Sequence, residues 1–233
     1  MSFRFKQFEV DDIRSTMRIG TDAMLLGSWA TPSPTSDILD IGTGCGVIAL
    51  MMAQKSSGHI YAVEIDLPSC SEARINFLKS PWKERITIIP NSIQQYSKTA
   101  CQQFDYIISN PPFFSNDLKS PMGRNNRTRH DQTLTLIELF KSAPPLLKKN
   151  GKFALILPLK QAQESIRMAL GINLFLQQTL SVSSKPNRLP FRILLQFGLS
   201  NNGEPTNSSL TIHDENGNFT FGYLALTHDF HSF

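Results

Sequence analysis

Three short stretches of the 233-residue chain hold residue types that folding alone does not demand. The first is Asp40-Ile-Gly-Thr-Gly-Cys-Gly46, between an apolar run and a helix-like segment. Its alternate glycines, Gly42, Gly44 and Gly46, let the backbone turn sharply and approach a ligand closely. A dinucleotide fingerprint would read GxGxxG and face a pyrophosphate. Here the spacing is GxGxG, and the acid ahead of it would repel a pyrophosphate, so an NAD-dependent oxidoreductase fits poorly. Asp40 suits a ligand carrying an ammonium or sulfonium charge. The second is Glu64, 24 residues further on, at the end of Ile-Tyr-Ala-Val-Glu. A carboxylate at a strand tip can accept both hydroxyls of a ribose. The third is Asn110-Pro111-Pro112-Phe113-Phe114, straight after another apolar run. Two prolines end a strand, but a plain turn needs neither the asparagine before them nor the two rings after.

The elements around these stretches alternate. Residues 37–41, 60–65, 85–89, 104–109 and 152–157 read as short buried strands, and 47–54, 69–78, 134–148 and 161–170 as helices. The helix expected over 134–148 ends in basic residues before Gly151, a usual stop signal. Such alternation predicts an α/β fold, a mostly parallel sheet with helices on both faces. After about residue 174 the runs 175–183, 192–198 and 208–213 follow without long helices, which predicts an antiparallel C-terminal edge. We expect a single domain over 1–233, with 1–30 as an N-terminal extension packed on the core at 31–233.

Composition sets outer bounds. With 40% hydrophobic and 18% charged residues the chain is of globular type, long enough for one well-cored domain. No apolar run is long enough to span a bilayer, so no membrane role is expected. The N-terminus has no apolar signal-peptide core, which leads us to expect a cytoplasmic protein. Cys45, Cys70 and Cys101 are too few and too scattered for a disulfide framework or a zinc site, and no metal is expected. The net charge of +4 and pI of about 9.0 are compatible with a polyanionic partner. Lys119, Arg124, Arg127, Arg129 and His130 follow the proline break with no acid among them until Asp131, and are the expected contacts to such a partner. Smaller basic groups are Arg4, Lys6, Arg14 and Arg18, and Lys185, Arg188 and Arg192.

Glycine loop, acidic strand end and Asn-Pro-Pro-Phe, in this order, resemble the class I S-adenosylmethionine-dependent methyltransferases, in particular the branch that methylates amino groups. The likeness extends to Lys6-Gln7-Phe8, to the stretch Met17-Arg-Ile-Gly-Thr-Asp-Ala-Met-Leu-Leu-Gly-Ser-Trp-Ala30, and to Ser80-Pro-Trp-Lys-Glu-Arg-Ile86. Together these are similar to the bacterial tRNA(Val) adenine-N6 methyltransferases, which modify the adenosine 3′ of the anticodon, at position 37. The resemblance implies a Rossmann-like sheet of seven strands, S-adenosylmethionine as cofactor and tRNA as partner. Apart from the resemblance, a monomer is expected, though nothing in the sequence sets the assembly. The resemblance assigns Asp40, Gly42, Gly44, Gly46 and Glu64 to the cofactor, and places Thr21 and Asp22 near its methionine end. Where these enzymes end the third strand with an Asp that holds the cofactor's adenine, this chain has Asn91 and Ser92, which become the expected partners there.

The resemblance also explains the proline break. An amino group on an aromatic base is a poor nucleophile, because its lone pair is delocalised into the ring. The Asn110 side-chain oxygen and the Pro111 carbonyl can accept its two N–H bonds and favour a more tetrahedral nitrogen. Pro111 and Pro112 stiffen that geometry, and Phe113 offers the base a stacking face. The motif itself does not separate adenine from guanine of ribosomal RNA or from a glutamine amide of a protein. A non-catalytic cofactor- or RNA-binding module is the alternative from another class, although such a module has no need for Asn110.

Overall fold

A computed structural model describes residues 1–15, 18–112 and 134–231. In chain order the elements are β1 (Ser2–Arg4), β2 (Glu9–Asp11), α1 (Thr21–Trp29), β3 (Ile38–Ile41), α2 (Val47–Lys55), β4 (Ile60–Glu64), α3 (Leu67–Lys79), β5 (Ile86–Pro90) and α4 (Ile93–Thr99). Then come β6 (Phe104–Ser109), α5 (Leu136–Ser142), β7 (Leu147–Leu157), α6 (Leu159–Leu170), β8 (Phe175–Ser183), β9 (Arg192–Gly198), β10 (Thr206–Thr211) and α7 (Phe221–Thr227). β1 and β2 form a small hairpin, and the other strands make an eight-stranded sheet in the order β10-β8-β9-β7-β6-β3-β4-β5.

β5, β4, β3, β6 and β7 are mutually parallel. β3, β4, β6 and the second half of β7 are mostly apolar and buried, as strands covered on both faces require, whereas β5 at the edge is largely half-exposed. One face packs Ile38, Ala62, Ile108 and Ile156 against α1, α2, α3 and α7; the other packs Leu39, Val63, Ile107 and Leu155 against α4, α5 and α6. α2 is buried from Val47 to Ala53, nearly all round, as a helix wedged between sheet and α1 must be. Gly27 of α1 allows that close crossing, since a Cβ there would lie 2.4 Å from the Met51 sulfur. Chain order reverses at β3, with β4 on one side and β6 on the other, and ligands of open α/β sheets bind at the strand carboxyl ends of such a switch point.

The α/β class is as expected, with three differences in detail. The helix over 134–148 stops at Ser142, because Pro144 and Pro145 cannot continue it; residues from Leu147 on, basic ones included, open β7. The antiparallel strand is β9, which lies inside the sheet, while β10 adds an eighth strand to the edge in parallel with β8. β9 is antiparallel because a short loop returns it directly beside β8; β10 arrives by a longer path and pairs on the outside.

Candidate active site at the sheet switch point

Register puts the strand tips side by side. Ser109 lies opposite Ile41, Ile41 opposite Val63, and Glu64 opposite Pro90. Asn110, Gly42, Glu64 and Asn91 therefore share one rim. Backbone bonds fasten it: the amides of Gly42 and Thr43 donate to the Val63 carbonyl at 2.9 and 3.2 Å, and that of Asn91 to the Glu64 carbonyl at 2.9 Å. The Ser109 hydroxyl donates to the Ile41 carbonyl at 2.9 Å. By strand alternation Asp40, Glu64 and Asn110 belong to the same face, the one that α1 and α2 cover.

The glycine loop has the left-handed backbone its sequence promised, with φ of +73° at Gly42 and +89° at Gly46. A side chain at Gly46 would also strike the Phe77 ring, 2.4 Å away, whereas the space beside Gly42 is open. Asp40 is buried. Its Oδ2 accepts the Thr43 hydroxyl at 2.6 Å, while Oδ1 has no partner. Burial pushes this carboxyl up to about 7, against the Thr43 hydrogen bond and with help from the neighbouring Glu64 charge.

Glu64 holds the loop together. One oxygen accepts the Gly44 amide at 2.9 Å, the other the amides of Ile65 and Asp66 at 2.8 and 2.9 Å. A carboxylate offers about four acceptor positions. Room is left for about one ribose hydroxyl, and holding both requires the Gly44 amide to let go. The Oδ1 of Asn110 is buried and has no partner, the second such acceptor on the rim. Pro111 is buried and Pro112 half-buried beside it. Phe113 and the basic residues Lys119, Arg124, Arg127, Arg129 and His130 lie outside the described residues.

Ser92 and Asp22 have structural employment. The Ser92 hydroxyl caps α4 by accepting the Gln95 amide at 3.2 Å, and the Asn91 side-chain oxygen accepts the Ser92 amide at 2.8 Å. The Ser92 O–H and the Asn91 amide N–H groups keep donor capacity toward an adenine ring. Asp22 pairs with Arg192 at 2.8 Å and ties α1 to β9, next to Thr21, the first residue of that helix.

Sequence reasoning missed Glu72 and Asn76, the α3 side chains that hold the N-terminal arm. Glu72 of α3, 4% exposed, accepts the amides of Ile13, Arg14 and Ser15 at 2.7, 2.9 and 2.8 Å. Asn76, one turn on, donates to the carbonyls of Asp11 and Cys45 at 2.9 and 2.8 Å, so one side chain grips both arm and glycine loop. A Cβ at Gly44 would lie 3.2 Å from the Ser15 hydroxyl, so the arm runs over the loop. Polar residues at i and i+4 flanking buried Ala73 and Phe77 were the available signal.

These groups fit S-adenosylmethionine. Two unpartnered buried acceptors, one of them a carboxylate that a cation would ionise, suit a sulfonium ligand, and the open side of Gly42 admits it. Among the described residues no cluster suited to a metal ion occurs.

A solved structure with the same fold is a predicted O-methyltransferase of Agrobacterium tumefaciens, with a TM-score of 0.70 over 90% of this chain and 96% of that one at 18% identity. Fold and rim define a class I methyltransferase, and residues 14–185 match the family model described as Methyltransferase small domain. Relatives narrow the family. A tRNA1(Val) (adenine(37)-N6)-methyltransferase of Parabacteroides distasonis is 36% identical over 98% of this chain and 97% of its own length. One of Trichodesmium erythraeum is 40% identical over 98% and 97%. The chain belongs to the tRNA1(Val) (adenine(37)-N6)-methyltransferase family.

Proposed function

We propose that this chain transfers a methyl group from S-adenosylmethionine to the N6 amino group of adenosine 37 in tRNA1(Val). The observation that carries the reading is the meeting of the acidic glycine loop and Asn110-Pro111-Pro112 at the switch point, in a chain of this family. When bound, S-adenosylmethionine supplies a methyl group on a positively charged sulfur. Asp40 and the glycine loop hold that cofactor, Glu64 meets its ribose, and Asn91 and Ser92 face its adenine. Asn110 Oδ1 and the Pro111 carbonyl accept the two N–H bonds of the target amine, so that its lone pair points away from the ring. Both acceptors also stabilise the positive charge that develops on the nitrogen. Phe113 stacks on the extruded base, and the basic residues of 119–130 meet tRNA phosphates. We read the chain as a single catalytic unit over 1–233, monomeric and cytoplasmic; no described helix is long and apolar enough to cross a membrane.

The test is methyl transfer from labelled S-adenosylmethionine to unmodified total tRNA, followed by digestion to nucleosides and mapping. Label in N6-methyladenosine at position 37 is expected. Label in a methylated guanosine, or only in protein, would refute the adenine assignment.

A further inference from the structure

A second surface stands on the same sheet edge as Asn110. β9 runs antiparallel to β7, and β8 antiparallel to β9. The loop 184–191 between β8 and β9 therefore rises beside the carboxyl ends of β3 and β6. It is two to four strand spacings from the cleft, roughly 10–20 Å at about 4.8 Å each. Its turn carries Lys185 and Arg188, both exposed and neither paired with an acid among the described residues. Leu189 beside them is 85% exposed.

Aromatic rings adjoin this turn. The His213 amide donates to the Ser184 carbonyl at 3.0 Å. The His213 ring stacks on Phe219 at 4.9 Å, and Phe219 on Tyr223 at 4.8 Å. Phe221, at the start of α7, is 87% exposed. Its neighbour Thr220 donates a backbone bond to the Ile212 carbonyl at 2.9 Å, which keeps this end of α7 at the same sheet edge. The intervening turn contains two acids: Asp214, whose carboxylate is spent on the Asn218 amide at 2.8 Å, and Glu215.

Unpaired cations next to exposed rings match a nucleic acid, which offers phosphates to the former and base or ribose faces to the latter. We propose that this ledge is a tRNA contact separate from the catalytic cleft, with Lys185 and Arg188 on backbone phosphates and Phe221 against a nucleotide of the same strand. The proposal rests on the tRNA reading above. An adenosine held at Asn110 puts the nucleotides that flank it within reach of the ledge, roughly 10–20 Å away at about 4.8 Å per strand.

The experiment uses the full chain with the pair Lys185→Glu and Arg188→Glu, and the milder pair Lys185→Gln and Arg188→Gln. Affinity for an unmodified tRNA1(Val) transcript is measured by anisotropy between about 50 and 200 mM salt, the range in which phosphate contacts are most visible. S-adenosylmethionine affinity is measured alongside. The charge-reversed pair should bind tRNA at least about tenfold more weakly, and both pairs should flatten the log–log salt slope by about 1.5–2, close to one per lost phosphate contact. Cofactor affinity should stay within about twofold, which also certifies the fold. Unchanged tRNA affinity and slope in both pairs would overturn the ledge and leave the functional reading intact. A wild-type chain that neither binds nor methylates this tRNA would overturn both.

Discussion

Asp40 has a carboxyl that burial pushes up to about 7, beside a site that should hold a positive sulfur. Below that pH the cofactor-free protein keeps it protonated, and ionising it to meet the ligand costs free energy. Cofactor affinity should therefore fall as pH drops from about 8 to 6, approaching tenfold per unit on the acid side. Asp40→Asn should bind more weakly at pH 8 and lose the dependence, as calorimetric titration would show; a wild-type affinity flat with pH would refute it. The same shift acts on stability with the opposite taste for pH. A folded-state value above the ordinary 3.8 contributes stability that is fully present below about pH 4 and lost as pH rises through about 7. At this scale much of the site was legible, because glycines at 42, 44 and 46 and a proline pair at 111 and 112 announce backbone geometry directly. Ser92 was less so. Ser92-Ile-Gln-Gln95 is also the Ser-x-x-Gln pattern of a helix start, and the hydroxyl caps α4. Nor could Glu64's three backbone bonds be read, since they arise from how the loop folds back on it.

Among the elements, the N-terminal arm depends on α3. In Glu72→Gln a single amide oxygen would face three backbone donors, and its NH2 would add a fourth. Leaving such groups unpaired costs about 1–3 kcal/mol each, so we expect a loss of about 2–4 kcal/mol in urea denaturation. Weaker cofactor binding should accompany it, because the arm runs over Gly44. Stability unchanged within about 0.5 kcal/mol would mean that the arm is held by other contacts. The parallel strands were readable because burial on both faces makes them nearly continuous apolar runs. α4 was not, because Ile93 is its one buried residue and the rest reads as polar loop. The apolar spacing of 134–148 is helical across both α5 and the start of β7, so spacing alone does not divide them, and only Pro144-Pro145 marks the stop. The grip of Glu72 and Asn76 on residues 11–15 joins segments about 60 residues apart, which no local pattern reveals.

Across the whole molecule, polar pairs crossing the sheet keep its strands in one arrangement. Tyr106 of β6 donates its hydroxyl to Gln196 of β9 at 3.0 Å, past the intervening β7, with both side chains buried. Tyr106→Phe leaves the Gln196 oxygen without that donor and should destabilise the chain by about 1–3 kcal/mol with activity retained in the folded fraction. A variant as stable as wild type would mean that Gln196 finds another partner. The switch point, the shared rim and the ledge all follow from strand order. Order was only partly legible: alternation of strands and helices implies a parallel sheet, but the position of β9 inside it is decided by pairing of distant segments.

The measurement closest to the central claim is single-turnover methyl transfer to tRNA1(Val) by Asn110→Ala, with S-adenosylmethionine affinity determined on the same preparation. If Asn110 acts as the acceptor that shapes the target amine, cofactor affinity should stay within about twofold while the rate falls about 100-fold or more. A rate within a few-fold of wild type, at unchanged cofactor affinity, would contradict the account and leave Asn110-Pro111-Pro112 as a turn.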